Sequence, residues 1–242
     1  MTGRVALVTG AAHRVGKAIA LALAAEGMAV VVHYYRSASY ARQTVGEITA
    51  QGVEATAAAA DLSTPEGVDE LFDAALARFG RLDALVNSAA IMERLSVPDI
   101  TPAEWDRSLN LNLRGPFLCS QRAARQMLTQ PEGGVIVNIA DMSGLEPWAK
   151  YVPHSVSKAG LIMLTQAMAK ALGPRIRVNA VAPGPVARPA GWDEARWRQV
   201  GRHTALQRTG SPEDVSRAVV FLLANDYITG ETIVVDGGGR LY

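Results

Sequence analysis

The chain has 242 residues, 49% of them hydrophobic, enough for one large core or at most two small domains. Its 24 basic and 23 acidic side chains leave a formal charge of +1 and form no basic block, which argues against a nucleic-acid partner. No apolar run reaches the roughly 18 residues of a membrane helix, no targeting leader precedes the first strand, and the lone Cys119 cannot close an internal disulfide, so a cytoplasmic protein is expected.

Short β-rich runs alternate with longer helical ones from the start. In chain order the pattern predicts strand Val5–Thr9, helix Val15–Glu26, strand Ala29–Tyr34, helix Tyr40–Gln51, strand Ala55–Ala59 and helix Pro65–Phe79. Strand Ala84–Asn87, helix Pro102–Leu128, strand Val135–Ile139, helix Pro153–Leu172, strand Arg177–Ala182, helix Pro212–Ala224 and strand Thr232–Val235 follow. The early strands are nearly continuous in Val, Ile, Leu and Ala, as a parallel sheet covered on both faces requires. Thr64-Pro65, Thr101-Pro102 and Ser211-Pro212 each set a capping residue before a proline at the first helical position. The alternation implies right-handed crossovers and a doubly wound α/β sandwich of the Rossmann type, in a single domain spanning 1–242. Only 184–210, rich in Pro, Arg and Trp, breaks the rhythm; it is a candidate substrate lid. Cys119 falls inside a helical stretch and reads as a small core hydrophobe.

The first strand feeds directly into Thr9-Gly10-Ala11-Ala12-His13-Arg14-Val15-Gly16, and a helix follows. Strand, tight glycine turn and helix N-terminus together make a dinucleotide site, because small residues admit a pyrophosphate and the helix end offers free N–H groups. The segment resembles the Thr-Gly-x-x-x-Gly-x-Gly turn of short-chain dehydrogenases/reductases, with Arg14 at the middle glycine. An arginine there, and the strand end His33-Tyr34-Tyr35-Arg36-Ser37, are similar to the pteridine reductase branch and imply NADP(H). Where an NAD site places an acid for the ribose 2′-hydroxyl, Tyr35, Arg36 and Ser37 stand instead, and a guanidinium suits a 2′-phosphate.

The resemblance runs through the chain. Asp61-Leu62 resembles the family's adenine-contacting pair, and Asn87-Ser88-Ala89-Ala90 its Asn-Asn-Ala-Gly turn. Asn112-Leu113-Arg114-Gly115 resembles the asparagine motif whose backbone holds a water on a proton relay. Pro183-Gly184 matches the turn flanking the nicotinamide. Ile228-Thr229-Gly230-Glu231 and Val235-Asp236-Gly237-Gly238 match the closing strand. The implied cofactor set is Gly10, His13, Arg14, Val15, Gly16, Tyr35, Arg36, Ser37, Asp61, Leu62, Asn87, Ser88, Ala89, Lys158, Pro183 and Gly184.

The family's chemistry rests on a Tyr-x-x-x-Lys pair with a serine or aspartate upstream. Lys158 is present, but His154 holds the tyrosine position, and Asp141 stands where the pteridine reductase branch also uses aspartate. The implied catalytic set is Asp141, His154, Lys158 and Asn112. Three readings stay open. His154 is a substitute acid/base, since histidine's reference pKa of about 6.5 suits proton transfer near neutrality; Asp141 favours a charged ring and Lys158 opposes it. Alternatively Tyr151, on the same stripe, takes the role. In the third reading the protein binds NADP(H) without turning over.

The expected substrate is a small pterin or carbonyl compound. A pterin is usually stacked on an aromatic residue after the fourth strand, where this chain has Ala90-Ile91-Met92; Trp148, Trp192 and Trp197 are candidates to line the pocket from other loops. His13, His33 and His203 lack metal-ligand spacing, so no metal is expected; His13 is placed beside the cofactor and the other two are structural or exposed. The family implies a homotetramer or homodimer assembled through Pro102–Leu128, Pro153–Leu172 and Gly239–Tyr242.

Overall fold

In the computed structural model, which describes residues 1–241, the strands are β1 (Val5–Val8), β2 (Ala29–Tyr34), β3 (Ala55–Ala59), β4 (Ala84–Asn87), β5 (Gly134–Ile139), β6 (Ile176–Pro183) and β7 (Thr232–Val235). The helices are α1 (Arg14–Ala25), α2 (Ala38–Thr49), α3 (Pro65–Phe79), α4 (Pro102–Leu109), α5 (Gly115–Met127), α6 (Val152–Leu172), α7 (Glu194–Gly201) and α8 (Pro212–Ala224). The strands form one parallel sheet in the order β3-β2-β1-β4-β5-β6-β7. The order reverses at β1, so the chain leaves it toward opposite edges. That reversal opens a crevice beyond the carboxyl ends of β1 and β4.

Period-2 alternation explains why β1 is apolar throughout. Val5 and Leu7 pack with Leu71 and Phe72 of α3 and with Cys119 and Met127 of α5; Ala6 and Val8 pack with Ile19 and Leu23 of α1 and Val219 of α8. Both faces are therefore covered, and each fully buried Leu or Phe contributes roughly 1.5–3 kcal/mol. Cys119 is fully buried, and burial pushes its thiol up to about 12, as an inert core group.

The expected caps form. Thr64 accepts from Gly67 N–H, Thr101 and Glu104 make a reciprocal capping box, and at Ser211 the backbone N–H donates to the Asp214 carboxylate at 2.8 Å. One reading is corrected. Helix 102–128 is not continuous: a π-helical turn over Asn110–Arg114 separates α4 from α5. An i→i+5 turn leaves no mark in hydrophobic spacing, so the sequence does not announce it. A further element, not among the predicted ones, is α7 within 184–210, capped by the Asp193 carboxylate accepting from Arg196 N–H at 2.7 Å. Other boundaries shift by one or two residues. Among the described residues no helix is long and apolar enough to cross a membrane. Tyr242, part of the expected C-terminal assembly segment, lies outside the described residues.

Candidate active site

The turn after β1 is built by backbone closeness. Gly10 has φ 65°, and a Cβ on it would lie 2.9 Å from Ala89 Cα; a Cβ on Gly16 would lie 2.2 Å from the Gly10 carbonyl oxygen. Glycine is thus required at both positions. Thr9 Oγ1 accepts from the N–H groups of Ser88 and Ala89 at 2.9 and 3.0 Å, fastening this turn to the one after β4. His33, buried in β2, completes it. Its Nδ1 accepts from Gly10 N–H at 3.0 Å and its Nε2–H donates to the Ala60 carbonyl at 3.1 Å. Burial, opposed by Ala60 and Asp61, pulls this imidazole down to about 4, so it is neutral at physiological pH.

α1 starts behind the turn with His13 as its N-cap residue, and the His13 side chain makes no capping bond. The first-turn N–H groups at Arg14, Val15 and Gly16 therefore lack intrahelical acceptors and face an anion-sized demand. The His13 ring instead stacks on Tyr40 of α2, centroids 5.8 Å apart. Arg14 has φ 55°, a left-handed conformation costing roughly 1 kcal/mol in a non-glycine residue. Its guanidinium donates to the carbonyls of Arg188 and Ala187, both at 3.1 Å, and so is engaged by segment 184–210. Arg36 lies over the Tyr35 ring at 4.7 Å and donates to its hydroxyl at 3.1 Å, while Ser37 is the N-cap residue of α2. Asp61 accepts from Ser63 Oγ at 2.6 Å, which holds its carboxyl below the usual range with help from nearby Tyr35 and Arg36. Leu62 is buried beside it.

A second cluster forms where β5 ends and α6 begins. Asp141 follows β5 and accepts from Ser143 N–H at 2.8 Å. Burial is the largest influence on its carboxyl and pushes it up; the His154 ring and Ser143 together outweigh this, and the carboxyl sits below its usual value. Lys158 donates from Nζ to the Ile139 carbonyl at 2.7 Å, and burial, opposed by Asp141, pulls its ammonium down to about 8. Gly144 lets this loop touch α6, since a Cβ there would lie 2.7 Å from the Lys158 carbonyl carbon.

His154 is 4% exposed. Its Nδ1 lies 3.0 Å from the Ile91 carbonyl oxygen, and its Nε2, buried and without a hydrogen-bond partner, lies 3.9 Å from Asp141 Oδ2. That separation fits an ion pair with a protonated ring and is too long for a direct hydrogen bond. Asn112, in the π-turn, accepts from Ile91 N–H at 2.9 Å and donates to Ile91 O at 2.8 Å. The structure thus brings Asp141, His154, Lys158 and Asn112 together. Tyr151 is the N-cap residue of α6, edge-on to Trp148 at 6.0 Å, one position outside the helical stripe.

Asn87, at the end of β4, donates to Asn138 Oδ1 at 2.8 Å and to Ser120 Oγ at 3.0 Å. Gly184, following Pro183, donates its N–H to Val235 O at 2.9 Å, tying the turn after β6 to β7. Met92 is half-exposed where an aromatic ring was sought. The sequence reading assigned no site role to the Thr9 hydroxyl, to His33, to Gly144 or to the Ile91 carbonyl. Two of these carried a signal: Thr9 heads the glycine-turn motif, and His33 is a lone imidazole amid the apolar residues of a central strand. Among the described residues no three His, Cys, Asp or Glu side chains gather as metal ligands.

Residues 10–239 match the family described as enoyl-(acyl carrier protein) reductase. A 3-oxoacyl-[acyl-carrier-protein] reductase from Synechocystis is 40% identical over 242 residues, covering 98% of this chain and 97% of that protein. The crystal structure of acetoin dehydrogenase from Enterobacter cloacae superposes with a TM-score of 0.91 at 37% identity, covering 100% of this chain and 96% of the other. The angucycline C-6 ketoreductase LanV, solved with bound NADP, superposes at 0.92 with 33% identity, covering 100% and 97%.

Proposed function

The chain belongs to the short-chain dehydrogenase/reductase family, and from that premise we propose that it interconverts a carbonyl and an alcohol on a small substrate with NADP(H). One observation carries the reading: the unpartnered Nε2 of His154, beside Asp141 and the buried Lys158 cation at the carboxyl end of the sheet. When bound, the nicotinamide supplies or accepts the hydride. Gly10, Val15 and Gly16 admit its pyrophosphate, with His13, Ser88 and Ala89 at the same turn. Asp61, Leu62 and Asn87 border the adenosine side, and Pro183 and Gly184 the nicotinamide. The turn fits that role, because Gly10 and Gly16 let its backbone close on Ala89 and on itself with no side chain in the way, ahead of the uncapped α1 N-terminus. Lys158 holds the ribose hydroxyls, and His154 moves the proton at the substrate oxygen.

A carbonyl is favoured over a pterin on two grounds. The relatives described above are named for oxoacyl, acetoin and ketone chemistry, and Met92 offers no ring to stack a pterin. The segment 184–210 is proposed as the substrate lid, with α7 as its rigid part and Arg14 as its anchor.

Cofactor choice rests on Arg36 with Tyr35 and Ser37. NADPH should bind at least about tenfold tighter than NADH by titration, a gap of roughly 1.4 kcal/mol, and Arg36→Glu should erase most of it. Equal affinities in the native protein would sink NADP(H). An NADPH-consumption assay over ketones, β-ketoesters and pterins tests the substrate class; turnover of pterins alone would reverse the preference for carbonyls.

Assembly is proposed to be dimeric or tetrameric. Phe117 of α5 and Met163 of α6, exposed by 40% and 63%, flank an apolar groove that also includes Leu109, Leu113 and Leu164. Light scattering at micromolar concentration should show more than one copy, and Met163→Glu should weaken the assembly. A monomeric native protein would contradict this.

A further inference from the structure

The amide of Asn112 can be oriented without ambiguity. Its oxygen faces the Ile91 N–H at 2.9 Å and its nitrogen faces the Ile91 carbonyl at 2.8 Å, and a flipped amide would oppose two donors and two acceptors. One amide proton goes to Ile91 O. The other points at Ser157 Oγ, 3.2 Å away, whose own proton goes to the His154 carbonyl at 2.6 Å. Ser157 is therefore a pure acceptor toward Asn112, and both amide protons are used.

That arrangement fixes the neighbouring imidazole. His154 Nδ1 sits 3.0 Å from the same Ile91 carbonyl oxygen. A bare Nδ1 would set two lone pairs against each other there, whereas Nδ1–H gives the carbonyl a second donor. The neutral ring then has a bare Nε2, buried, without a partner and 3.9 Å from Asp141 Oδ2. Two acceptors thus face each other across 3.9 Å with no donor between them.

We propose that Asn112 is a positioning residue that acts through the Ile91 peptide to hold His154 as its Nδ1–H tautomer, so that the neutral ring offers Nε2 to a substrate hydroxyl. This inference rests on the oxidoreductase reading and deepens it. The hydroxyl donates to Nε2 and its proton passes to that nitrogen, while the carbinol C–H bond would break with its hydride going to an oxidised nicotinamide, and the resulting imidazolium pairs with Asp141. In the reverse direction the imidazolium returns the proton to the substrate oxygen as the carbonyl carbon takes a hydride from the reduced nicotinamide. Asn112 touches no reacting atom; its work is to choose which nitrogen is free.

The test is nitrogen NMR on the full chain labelled at histidine, without cofactor or substrate, with His154→Phe assigning the resonances. At a pH where the ring is neutral, His154 should show a protonated Nδ1 and a bare Nε2. Ser157→Ala removes the nearer hydroxyl acceptor of Asn112 and leaves that amide proton with His154 Nδ1 at 3.3 Å, ahead of Ser108 Oγ at 3.5 Å. The tautomer should then shift toward Nε2–H, and alcohol oxidation should fall at least about tenfold with NADP+ affinity unchanged. Asn112→Ala frees the Ile91 peptide from both amide bonds without offering Nδ1 a donor, so the two tautomers should become mixed rather than switch to Nε2–H. Asn112→Asp, whose carboxylate can itself accept Nδ1–H, should keep the native tautomer, which a merely structural role for Asn112 does not predict. A native His154 carrying Nε2–H, or a tautomer indifferent to Ser157→Ala, would overturn the proposal. Absent turnover with the Nδ1–H tautomer intact would sink the oxidoreductase reading instead, so the two failures are distinguishable.

Discussion

His154→Phe is expected to lower carbonyl–alcohol interconversion by about a hundredfold, the scale of a positioned general acid/base, with NADPH affinity nearly unchanged. Phenylalanine keeps a flat ring in a site that is almost fully buried but removes both nitrogens, so the Ile91 carbonyl loses one donor and Asp141 its partner. The cofactor turn is held by Thr9 and His33, which do not touch His154, and that separation is why binding should survive. Stopped-flow or steady-state rates beside a cofactor titration read the two effects apart. His154→Tyr should retain or gain activity if the rest of the relay is competent, because a phenol restores the family's group and reaches further than imidazole. Unchanged turnover in His154→Phe would assign the proton to Tyr151, Asp141 or water. No turnover in either the native protein or His154→Tyr, with NADPH bound, would return the chain to the class of binding proteins.

Acid should loosen the cofactor turn before it reaches the carboxylates. His33 has an ordinary value of 6.5 when unfolded and about 4 when folded, because burial disfavours its charged form. Between those values the unfolded chain binds the extra proton and the folded chain does not, so this contribution falls as pH falls from about 6.5 to about 4 and is complete above that window. The full swing is about 3 kcal/mol, or roughly two powers of ten in the folding equilibrium. Urea unfolding at a series of pH values measures it, with His33→Asn as the reference that can still accept from Gly10 N–H but does not titrate. The native protein should lose more stability than the variant across this window. Parallel pH dependences would show that His33 is not held neutral.

The sheet was legible because both of its faces are covered. The early strands are nearly continuous in apolar residues, and the N-cap and proline pairs at Thr64, Thr101 and Ser211 punctuated the helices. The grouping of Asp141, His154 and Lys158 was legible only through the family resemblance, because Asp141 lies in the loop after β5 and its spacing alone does not bring it to α6. What escaped the sequence was contact made through backbone. Nothing in Ile91 as a residue type marks its carbonyl as a partner of His154, and nothing in Gly144 tells that Lys158 passes beneath it. Arg14 was read toward a phosphate from its place in the glycine turn and the resemblance it carries, yet in the fold its guanidinium finds the carbonyls of a segment far along the chain. A polar side chain near two sites goes to whichever acceptors geometry supplies, and spacing in one dimension does not show them.

The π-turn at Asn110–Arg114 has a consequence for how the gene can change length. A π-turn uses one residue more than an α-turn on about the same rotation and rise, so losing one residue there would regularise the helix and leave α5 facing the sheet as before. Cys119 and Met127 would keep their places, and only the local set at the turn, Asn112 on Ile91, would be lost. The same loss inside regular α5 would rotate everything after it by about 100° and swing Met127 off the sheet. The fold should therefore accept a one-residue deletion at this turn with loss of the site, and reject one within α5, whereas exposed turns such as the one at Gly52 can absorb either.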